Sequence, residues 1–314
     1  MESVRRAVID VGTNSIKLLV ADVAGRNVQP VHEESRQTRL GRGFYETRRL
    51  QSEPIAYSAN AVADFARTAH QHGTRSIRVI ATSAARDAVN PEDLISAIES
   101  ASGLKVEIIS GGQEARWAFQ GVTTDMELAN APLLLLDVGG GSTQFILGRG
   151  ERTHFAHSFQ FGSVRLLEKF PHSNPPTRGE FTACRDWLKN FLQTEVRPKL
   201  EPALRCETDS PSAGIQLVGT GGTSSILARI EAKLDRYDRE RLEATRLSLE
   251  QVKAHRKRLW SLPLTERKEI TGLPKLRADV ILTGVLIYEV VMEEFGFNRL
   301  RVSTRGLRFA AVMD

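Results

Sequence analysis

The sequence predicts an α/β protein with two domains, each built on a mixed sheet flanked by helices, and three observations support this prediction. Short apolar strand patterns precede helical patterns twice along the chain, which is typical of such domains. A length of 314 residues with 41% hydrophobic residues suits two cores better than one. One strand–loop–strand unit occurs in each half of the chain, which indicates two similar domains. A ligand is expected in the cleft between them.

The repeated unit is a glycine-containing loop between two apolar strands. Residues 7–20 are AVIDVGTNSIKLLV and residues 133–148 are LLLLDVGGGSTQFILG, and both loops share the order Asp, Val, Gly, two variable residues, Ser. Glycines leave space for a ligand, and backbone N–H groups in such loops can converge on one anion. The predicted phosphate-binding residues are Gly12, Thr13, Asn14, Ser15, Gly139, Gly140, Gly141, Ser142 and Thr143.

Each loop is preceded by an aspartate, Asp10 or Asp137. A carboxylate beside a phosphate is repulsive unless a cation bridges them, and hydrated Mg²⁺ is the usual bridge. The pattern therefore predicts that both aspartates bind Mg²⁺, directly or through water. A glycine-rich hairpin without any ligand is the alternative.

Several other segments of the first half combine local structure with candidate ligand groups. A basic loop over residues 38–44 carries Arg39 and Arg42, and its alternative interpretation is a solvated loop. Glu114 falls in the first turn of a helix that follows SGG, where a carboxylate also suits the helix dipole. The predicted strands cover 4–10, 16–23, 28–34, 76–81 and 104–109, and the predicted helices begin at 54, 91 and 113.

The second half begins after a polar linker over residues 123–131 and contains two more candidate anion sites. Gly162 and Ser163 begin a helix with Arg165 one turn in, where an anion is expected. GTGGTSS, residues 219–225, is a third glycine-rich turn before a helix. The other predicted elements are strands at 152–159, 215–218 and 300–302, helices at 178–196, 248–260, 273–296 and 307–312, and an irregular segment at 198–213.

Charge and composition exclude several classes of function. A net charge of +5 favours anionic partners, but 6% aromatic residues with no alternation of basic and aromatic residues argue against nucleic-acid binding. No apolar run reaches the roughly 18 residues that span a membrane. With no export signal and no metal spacing at Cys184 and Cys206, a cytoplasmic protein with reduced thiols is expected. The sequence is compatible with a homodimer and does not determine the oligomeric state.

An ordered set of motifs resembles the exopolyphosphatase/guanosine pentaphosphate phosphohydrolase family, within the actin-like phosphotransferase superfamily. The resemblance covers essentially the whole chain. The motifs are DVGTNS at 10–15, ATSAARDA at 81–88, ISGGQEARWAFQGV at 109–122, LDVGGGST at 136–143, FGSVRL at 161–166, GTGGTSS at 219–225, LPKLRADVILTG at 273–284 and STRGLR at 303–308.

The resemblance implies a fold and a reaction. It implies two actin-like (ribonuclease H-like) domains with five-stranded sheets, one formed by 1–124 plus about 303–314 and the other by 125–302. It also implies Mg²⁺-dependent hydrolysis of a terminal phosphoanhydride bond in polyphosphate or guanosine pentaphosphate. Glu114 matches the glutamate that activates water in this family. Arg86 would neutralise the substrate, or else form a structural salt bridge. Lys17, Arg39, Arg42 and Arg165 would guide a polyanion.

One departure from the family pattern concerns the metal region. The family usually has Glu after GGGST, whereas this chain has Gln144, which cannot supply charge to a metal. Weaker Mg²⁺ binding or loss of activity is therefore expected. Two alternatives to the hydrolase stay open: a non-catalytic sensor of polyphosphate or an alarmone, and an ATP-dependent kinase of the same superfamily.

Overall fold

The computed structural model describes residues 2–207 and 214–314, and these fall into two compact units. The first unit holds the chain up to Thr124 together with Arg305–Asp314, and the second holds Asp125–Thr304. Each unit contains one mixed sheet with helices on its faces.

The first unit is built on a five-stranded sheet. Its strands are β1 Val4–Val11, β2 Ile16–Ala24, β3 Asn27–Arg36, β4 Ser76–Ala81 and β5 Val106–Ile108. They lie in the order β3-β2-β1-β4-β5, in which β1–β3 form an antiparallel meander while β4 and β5 run parallel to β1. Its helices before the second unit are α1 Phe44–Thr47, α2 Ser52–Gln71, α3 Ser83–Asp87, α4 Pro91–Ser102 and α5 Gly111–Val122.

The second unit repeats this arrangement and extends it. Its helices are α6 Met126–Ala129, α7 Ser163–Lys169, α8 Arg178–Phe191, α9 Arg197–Glu207, α10 Gly221–Glu231, α11 Arg239–Glu243, α12 Leu249–Ser261, α13 Leu264–Arg267 and α14 Ile281–Phe295. Its strands are β6 Leu133–Val138, β7 Thr143–Arg149, β8 Arg152–Phe159, β9 Gln216–Thr220, β10 Arg246–Ser248 and β11 Arg299–Val302. A π-helical turn, Leu192–Val196, joins α8 to α9, and Lys275–Arg277 is a 3₁₀ turn. The last helix, α15 Leu307–Ala311, belongs to the first unit.

The predicted fold class, two mixed α/β sheets flanked by helices, is confirmed. The second sheet has six strands, in the order β10-β11-β9-β6-β7-β8, and not the expected five. The extra strand is the short β10, which pairs antiparallel with β11 through Leu247 and Leu300. Leu247 is fully buried, so this pairing is stabilised by the same core as the rest of the sheet.

Alternation along β1 and β2 explains why the first sheet is covered on both faces. Ile9 and Leu18 lie in a core formed with α2 and α4, whereas Val8 and Leu19 lie in a second core with Trp117 of α5 and Phe309 of α15. Successive strand residues point to opposite faces, so a strand that is apolar at every position requires two layers of helices. In the second unit β6 follows the same rule, and α14 is buried along almost its whole length.

Two predicted segments were wrong. Residues 198–207 were expected to be irregular but belong to α9, because Leu200 and Leu204, one turn apart, are buried in the core despite Pro202 within the helix. The remaining part of that prediction, 208–213, lies outside the described residues. The long helix expected from 273 begins only at Ile281, since the preceding polar segment forms the 3₁₀ turn.

Two smaller findings complete the fold. The expected linker over 123–131 contains α6, which Asp125 caps by accepting a hydrogen bond from the Glu127 N–H at 2.9 Å. Across residues 2–207 and 214–314, no helix has the length and apolarity that crossing a bilayer requires.

A glycine contact between α5 and the C-terminal segment generates the first prediction. A Cβ atom at Gly121 would overlap the carbonyl of Gly306, so Gly121→Ala should push that segment away and destabilise the first unit by about 1–3 kcal/mol. This corresponds to a fall of several degrees in the melting temperature measured by circular dichroism. Gly179→Ala is the matched control, since nothing lies within 4 Å of its Cβ position in α8. Equal melting temperatures for the two variants would contradict the proposed close packing.

Candidate active site

The parallel strands of the first unit bring three loops to one edge of its sheet. Val11 of β1 is level with Ala81 of β4, and Ala81 is level with Ile108 of β5. The backbone continues this alignment past the strand ends, because Thr82 N–H donates to the Val11 carbonyl at 3.2 Å and Ile109 N–H donates to the Ala81 carbonyl at 3.0 Å. The segments 12–15, 82–87 and 109–114 therefore lie at the same edge.

The first glycine loop is closed by its own backbone. Gly12 N–H donates to the Ser15 carbonyl at 3.2 Å, and a Cβ atom at Gly12 would lie only 2.9 Å from that oxygen. Thr13, Asn14 and Ser15 are all buried. The first position of this loop thus requires glycine, and the next three residues are held inside the protein.

The basic loop 38–44 packs directly on this glycine loop. Arg39 N–H donates to the Asn14 carbonyl at 3.0 Å, and Gly41 N–H donates to the Thr13 carbonyl at 2.7 Å. A Cβ atom at Gly41 would overlap the Thr13 side chain. The segment carrying Arg39 and the exposed Arg42 is therefore attached through its backbone to the predicted phosphate loop.

Several buried polar atoms at this edge have no hydrogen-bond partner among the described residues. They include Asp10 Oδ1, Asn14 Nδ2, Gln37 Oε1, Thr38 Oγ1 and Ser83 Oγ. Buried polar groups in folded proteins are nearly always paired, so such a cluster of unpaired groups requires an explanation. An acceptor beside several donors is the set that a cation and an anion bound together would satisfy.

Asp10 is the charged member of this cluster and is 8% exposed. Burial raises the pKa of its carboxyl group above the ordinary value, and attraction to Lys17 and Arg308 opposes that rise. Lys17 is the cross-strand neighbour of Asp10 on β2. Arg308 is anchored beside it, donating to the Leu18 carbonyl at 2.7 Å and to Glu33 at 3.2 Å.

Glu114 lies at the same edge in the first turn of α5. Ser110 caps this helix by accepting a hydrogen bond from the Gln113 N–H at 3.1 Å. Glu114 is 8% exposed, and Arg86 Nη1 donates to its Oε2 at 3.0 Å and to the Ile109 carbonyl at 3.0 Å. The salt bridge weighed from the sequence for Arg86 is therefore present. A buried carboxylate requires such a cationic partner.

The glycine loop of the second unit has the same closure as the first. Gly139 N–H donates to the Ser142 carbonyl at 3.0 Å, and a Cβ atom at Gly139 would lie 2.8 Å from that oxygen. Gly162 packs closely against this loop, as Gly41 packs against the first glycine loop. A Cβ atom at Gly162 would lie 2.6 Å from the Gly140 carbonyl oxygen. The internal repeat inferred from two short motifs thus extends to backbone hydrogen bonds.

The start of α7 is not the anion site that the sequence predicted. The N–H groups of Ser163, Val164 and Arg165 donate to the Gly139 and Gly140 carbonyls at 2.8–3.0 Å. Arg165 Nε also donates to the Gly141 carbonyl at 2.9 Å. These N–H groups and Arg165 Nε bind carbonyls of the glycine loop and stabilise its conformation. They are therefore not available to an anion.

Thr143 also differs from its predicted place in the phosphate-binding set. It is fully buried, and its hydroxyl donates to the Phe161 carbonyl at 2.7 Å. Its side chain therefore secures the turn before α7 and does not point a donor at a ligand.

Asp137 lies half-buried beside the third glycine turn. It is the cross-strand neighbour of Gln144 on β7 and of Thr220 on β9. Gly221 has φ of 87°, and a Cβ atom there would overlap Asp137 Oδ1, so only glycine leaves space for the carboxylate. Gln144 is 1% exposed, and its Nε2 donates to Ser142 Oγ at 2.8 Å and to Ser158 Oγ at 3.0 Å.

The carboxylate beside each glycine loop is a ligand of the type that a hydrated divalent cation takes. No group of three or more His, Cys, Asp or Glu side chains suitable for a metal occurs in the described parts of the chain. Mg²⁺ is usually held by one or two carboxylates together with waters and phosphate oxygens, so a complete protein cage is not required. Asp10 Oδ1, which is buried and unpaired, offers such a ligand in the first unit, and the half-buried carboxylate of Asp137 offers one in the second.

Sequence reasoning did not predict the roles that three residues have in shaping this site. Gly41 and Gly162 occupy equivalent places, each directly after an apolar residue that follows the third strand of its unit. This repeat of Leu-Gly and Phe-Gly in the sequence could have indicated that both glycines have the same role. Gln37 carries no sequence signal, and only the structure shows that its Nε2 donates to Asn14 Oδ1 at 3.2 Å.

Comparison with known proteins gives a consistent result. Residues 19–313 match the Ppx/GppA phosphatase family. The chain is 35% identical to exopolyphosphatase 2 of Mycobacterium tuberculosis over 96% of both chains, and 28% identical to exopolyphosphatase 1 of the same organism over 98% of this chain and 87% of that one. Its fold is similar to an Aquifex aeolicus Ppx/GppA enzyme, with 28% identity, 99% coverage of both chains and a TM-score of 0.77. A Cytophaga hutchinsonii exopolyphosphatase gives 28% identity, 98% and 96% coverage and a TM-score of 0.85.

The buried charge of Asp10 generates a prediction about stability and pH. Because its pKa is raised in the folded protein, the cost of ionising it is absent below the unfolded pKa of about 3.9 and grows as the pH rises above that value. Asp10→Asn should therefore raise the melting temperature at pH 7, and the gain over the native protein should shrink as the pH falls toward about 3.5.

Asp22→Asn is the matched control on the neighbouring strand. Hydrogen bonding to Arg5 lowers the pKa of Asp22, so this variant should lose stability at pH 7 and recover relative to the native protein as the pH falls. Thermal melts between pH 3.5 and 7.5 measure both trends. A pH-independent difference for Asp10→Asn would show that its ionisation carries no cost.

Proposed function

The chain belongs to the Ppx/GppA phosphatase family, and we propose that it is an exopolyphosphatase that hydrolyses the terminal phosphoanhydride bond of inorganic polyphosphate. The observation that carries this proposal is its 35% identity to an exopolyphosphatase over 96% of both chains. The first glycine loop, with the buried and unpaired Asn14 Nδ2, and the second, with the buried Ser142 hydroxyl, supply groups of the chemistry that a phosphate requires. Guanosine pentaphosphate, which contains the same kind of bond, is a second candidate substrate.

The two loops would bind phosphate oxygens through backbone N–H groups and side-chain donors. In phosphoanhydride hydrolysis, catalysis consists mainly of positioning the reactants and stabilising charge on the phosphoryl oxygens. Asn14 Nδ2 is buried and unpaired, and the hydroxyl of Ser142 accepts a hydrogen bond from Gln144. Donors held in this way need no reorganisation when the charge on the phosphate changes.

Glu114 would act as the general base that activates the attacking water. The water oxygen forms a bond to the terminal phosphorus, Glu114 accepts the water proton, and the bond to the bridging oxygen breaks, releasing orthophosphate and a shortened chain. Arg86 orients this carboxylate through the 3.0 Å ion pair, and its second contact with the Ile109 carbonyl fixes the guanidinium. The neutralisation of substrate charge by Arg86 stays a prediction.

Asp10 and Asp137 would hold Mg²⁺, which when bound neutralises negative charge on phosphate oxygens. The two aspartates have different neighbours within their sheets. Asp10 interacts with Lys17 and Arg308, whereas the cross-strand neighbours of Asp137 are the uncharged Gln144 and Thr220.

The remaining cations would interact with the rest of a polyanion. Arg39 and Arg42 lie on the segment that packs on the first glycine loop, and Lys17 lies on the strand that follows this loop. Arg165 is omitted from this group because it supports the second loop. The sensor alternative rests on Gln144, which places a neutral amide where a carboxylate would strengthen metal binding.

Replacing the proposed base provides the most direct test of this assignment. Glu114→Gln keeps the size of the side chain and its acceptor for Arg86 but cannot take a proton, so phosphate release from polyphosphate should fall roughly 100-fold or more. Glu107→Gln is the matched control, because Glu107 also pairs with an arginine, Arg78, at 3.0 Å. Release should be unchanged in this control. Near-native turnover by Glu114→Gln would exclude the role of Glu114 as the base.

The proposed metal ligands predict a change in the Mg²⁺ requirement. Asp137→Asn removes a negative charge from the proposed metal site, so half-maximal activity should require at least about tenfold more Mg²⁺. Arg149→Gln, at the opposite end of β7, changes a surface charge and should leave the titration unchanged. Superimposable titrations for Asp137→Asn and the native enzyme would show that Asp137 holds no metal.

A further inference from the structure

Two glutamines outside the glycine loops make hydrogen bonds to side chains within them. In the second unit Gln144 Nε2 donates to Ser142 Oγ at 2.8 Å, and in the first unit Gln37 Nε2 donates to Asn14 Oδ1 at 3.2 Å. Both loop side chains are buried, with 3% exposure for Ser142 and 6% for Asn14. In each case the glutamine amide donates its hydrogen bond to the oxygen atom of the loop side chain.

This choice of atom determines what each loop side chain can offer a ligand. A serine hydroxyl has one donor and two acceptor positions, and an asparagine amide has two donors beside its oxygen. Because Gln144 donates to Ser142 Oγ, the proton of that hydroxyl remains available, and within residues 2–207 and 214–314 it is donated to no protein atom. Asn14 Nδ2 is likewise buried without a partner among the described residues.

We propose that Gln144 and Gln37 are positioning residues that keep the Ser142 hydroxyl and the Asn14 amide as hydrogen-bond donors for a substrate phosphate. This role rests on the proposed function, in which the two loops bind phosphate. Gln144 is itself held in place, since its second N–H donates to Ser158 Oγ on the adjacent strand at 3.0 Å. Both N–H groups of the Gln144 amide are thus hydrogen-bonded to protein atoms, which fixes the orientation of the amide before a ligand binds.

The proposal assigns a specific consequence to the amide at position 144. A carboxylate there would have no proton to donate and would accept the proton of Ser142, so that the hydroxyl would present a lone pair to an anion. The neutral amide therefore favours phosphate binding by this loop even where it weakens the attraction for a metal.

The test measures the dissociation constant of inorganic phosphate by isothermal titration calorimetry without divalent cations, so that metal binding does not contribute. Gln144→Glu should weaken phosphate binding about tenfold or more, the range expected for the loss of one hydrogen bond to a charged group. Gln37→Glu should act in the same direction through Asn14. Gln216→Glu adds the same charge at an exposed position at the start of β9 and should change the constant less than twofold.

A double-mutant cycle separates donor orientation from simple charge repulsion. If Gln144 acts through Ser142, Gln144→Glu should add less than about twofold to the loss already caused by Ser142→Ala. An equal loss in both backgrounds, or unchanged binding by Gln144→Glu, would overturn the proposal. Gln144→Met serves as the uncharged variant, with an expected smaller loss of a few-fold, and melting temperatures confirm that each variant is folded.

The outcomes also distinguish this proposal from the proposed function. If the native protein binds no phosphate, the loops are not phosphate sites and the positioning role fails with them. If phosphate binds and responds to the variants as expected but polyphosphate is not hydrolysed, only the hydrolase assignment fails. If polyphosphate is hydrolysed and Gln144→Glu binds phosphate normally, only the positioning role fails.

Discussion

The structure depends on one backbone hydrogen bond that occurs in both units, from the first glycine of a loop to the carbonyl of the serine three residues later. This bond, Gly12 to Ser15 and Gly139 to Ser142, leaves no space for a Cβ atom at the glycine. It turns the chain from one buried strand into the next within four residues. The aspartate that ends the first strand and the serine that begins the return therefore lie on one small turn, which is the requirement for binding an anion and its counter-ion together.

Each turn is supported by a second glycine from a later segment, Gly41 or Gly162, whose missing side chain allows close backbone contact. The two units share this geometry but differ in the residues beside the aspartate. The first has Asp10 interacting with Lys17 and Arg308, and the second has Asp137 beside the neutral Gln144. A duplicated scaffold thus carries two loops whose aspartates have different cross-strand neighbours.

The sequence predicted the strands and glycine loops well, because buried strands between glycine turns have strong local patterns. It also predicted the position of Glu114 in the first turn of its helix. Tertiary contacts explain what it missed. Burial of Leu200 and Leu204 keeps α9 helical around Pro202. The Thr143 hydroxyl donates a hydrogen bond to the carbonyl of Phe161, which is not close to it in the sequence. The contact of Arg86 with Glu114 depends on three parallel strands ending level, and no local pattern contains that information.

We propose that this chain removes terminal phosphate from polyphosphate and needs no nucleotide to do so. The most direct measurement is orthophosphate release by the native protein from polyphosphate and from guanosine pentaphosphate, each with and without Mg²⁺ and in the absence of ATP. We expect orthophosphate release from polyphosphate, and we expect this release to require Mg²⁺. No release from either substrate at any Mg²⁺ concentration, with phosphate still bound, would contradict it and identify a binding protein.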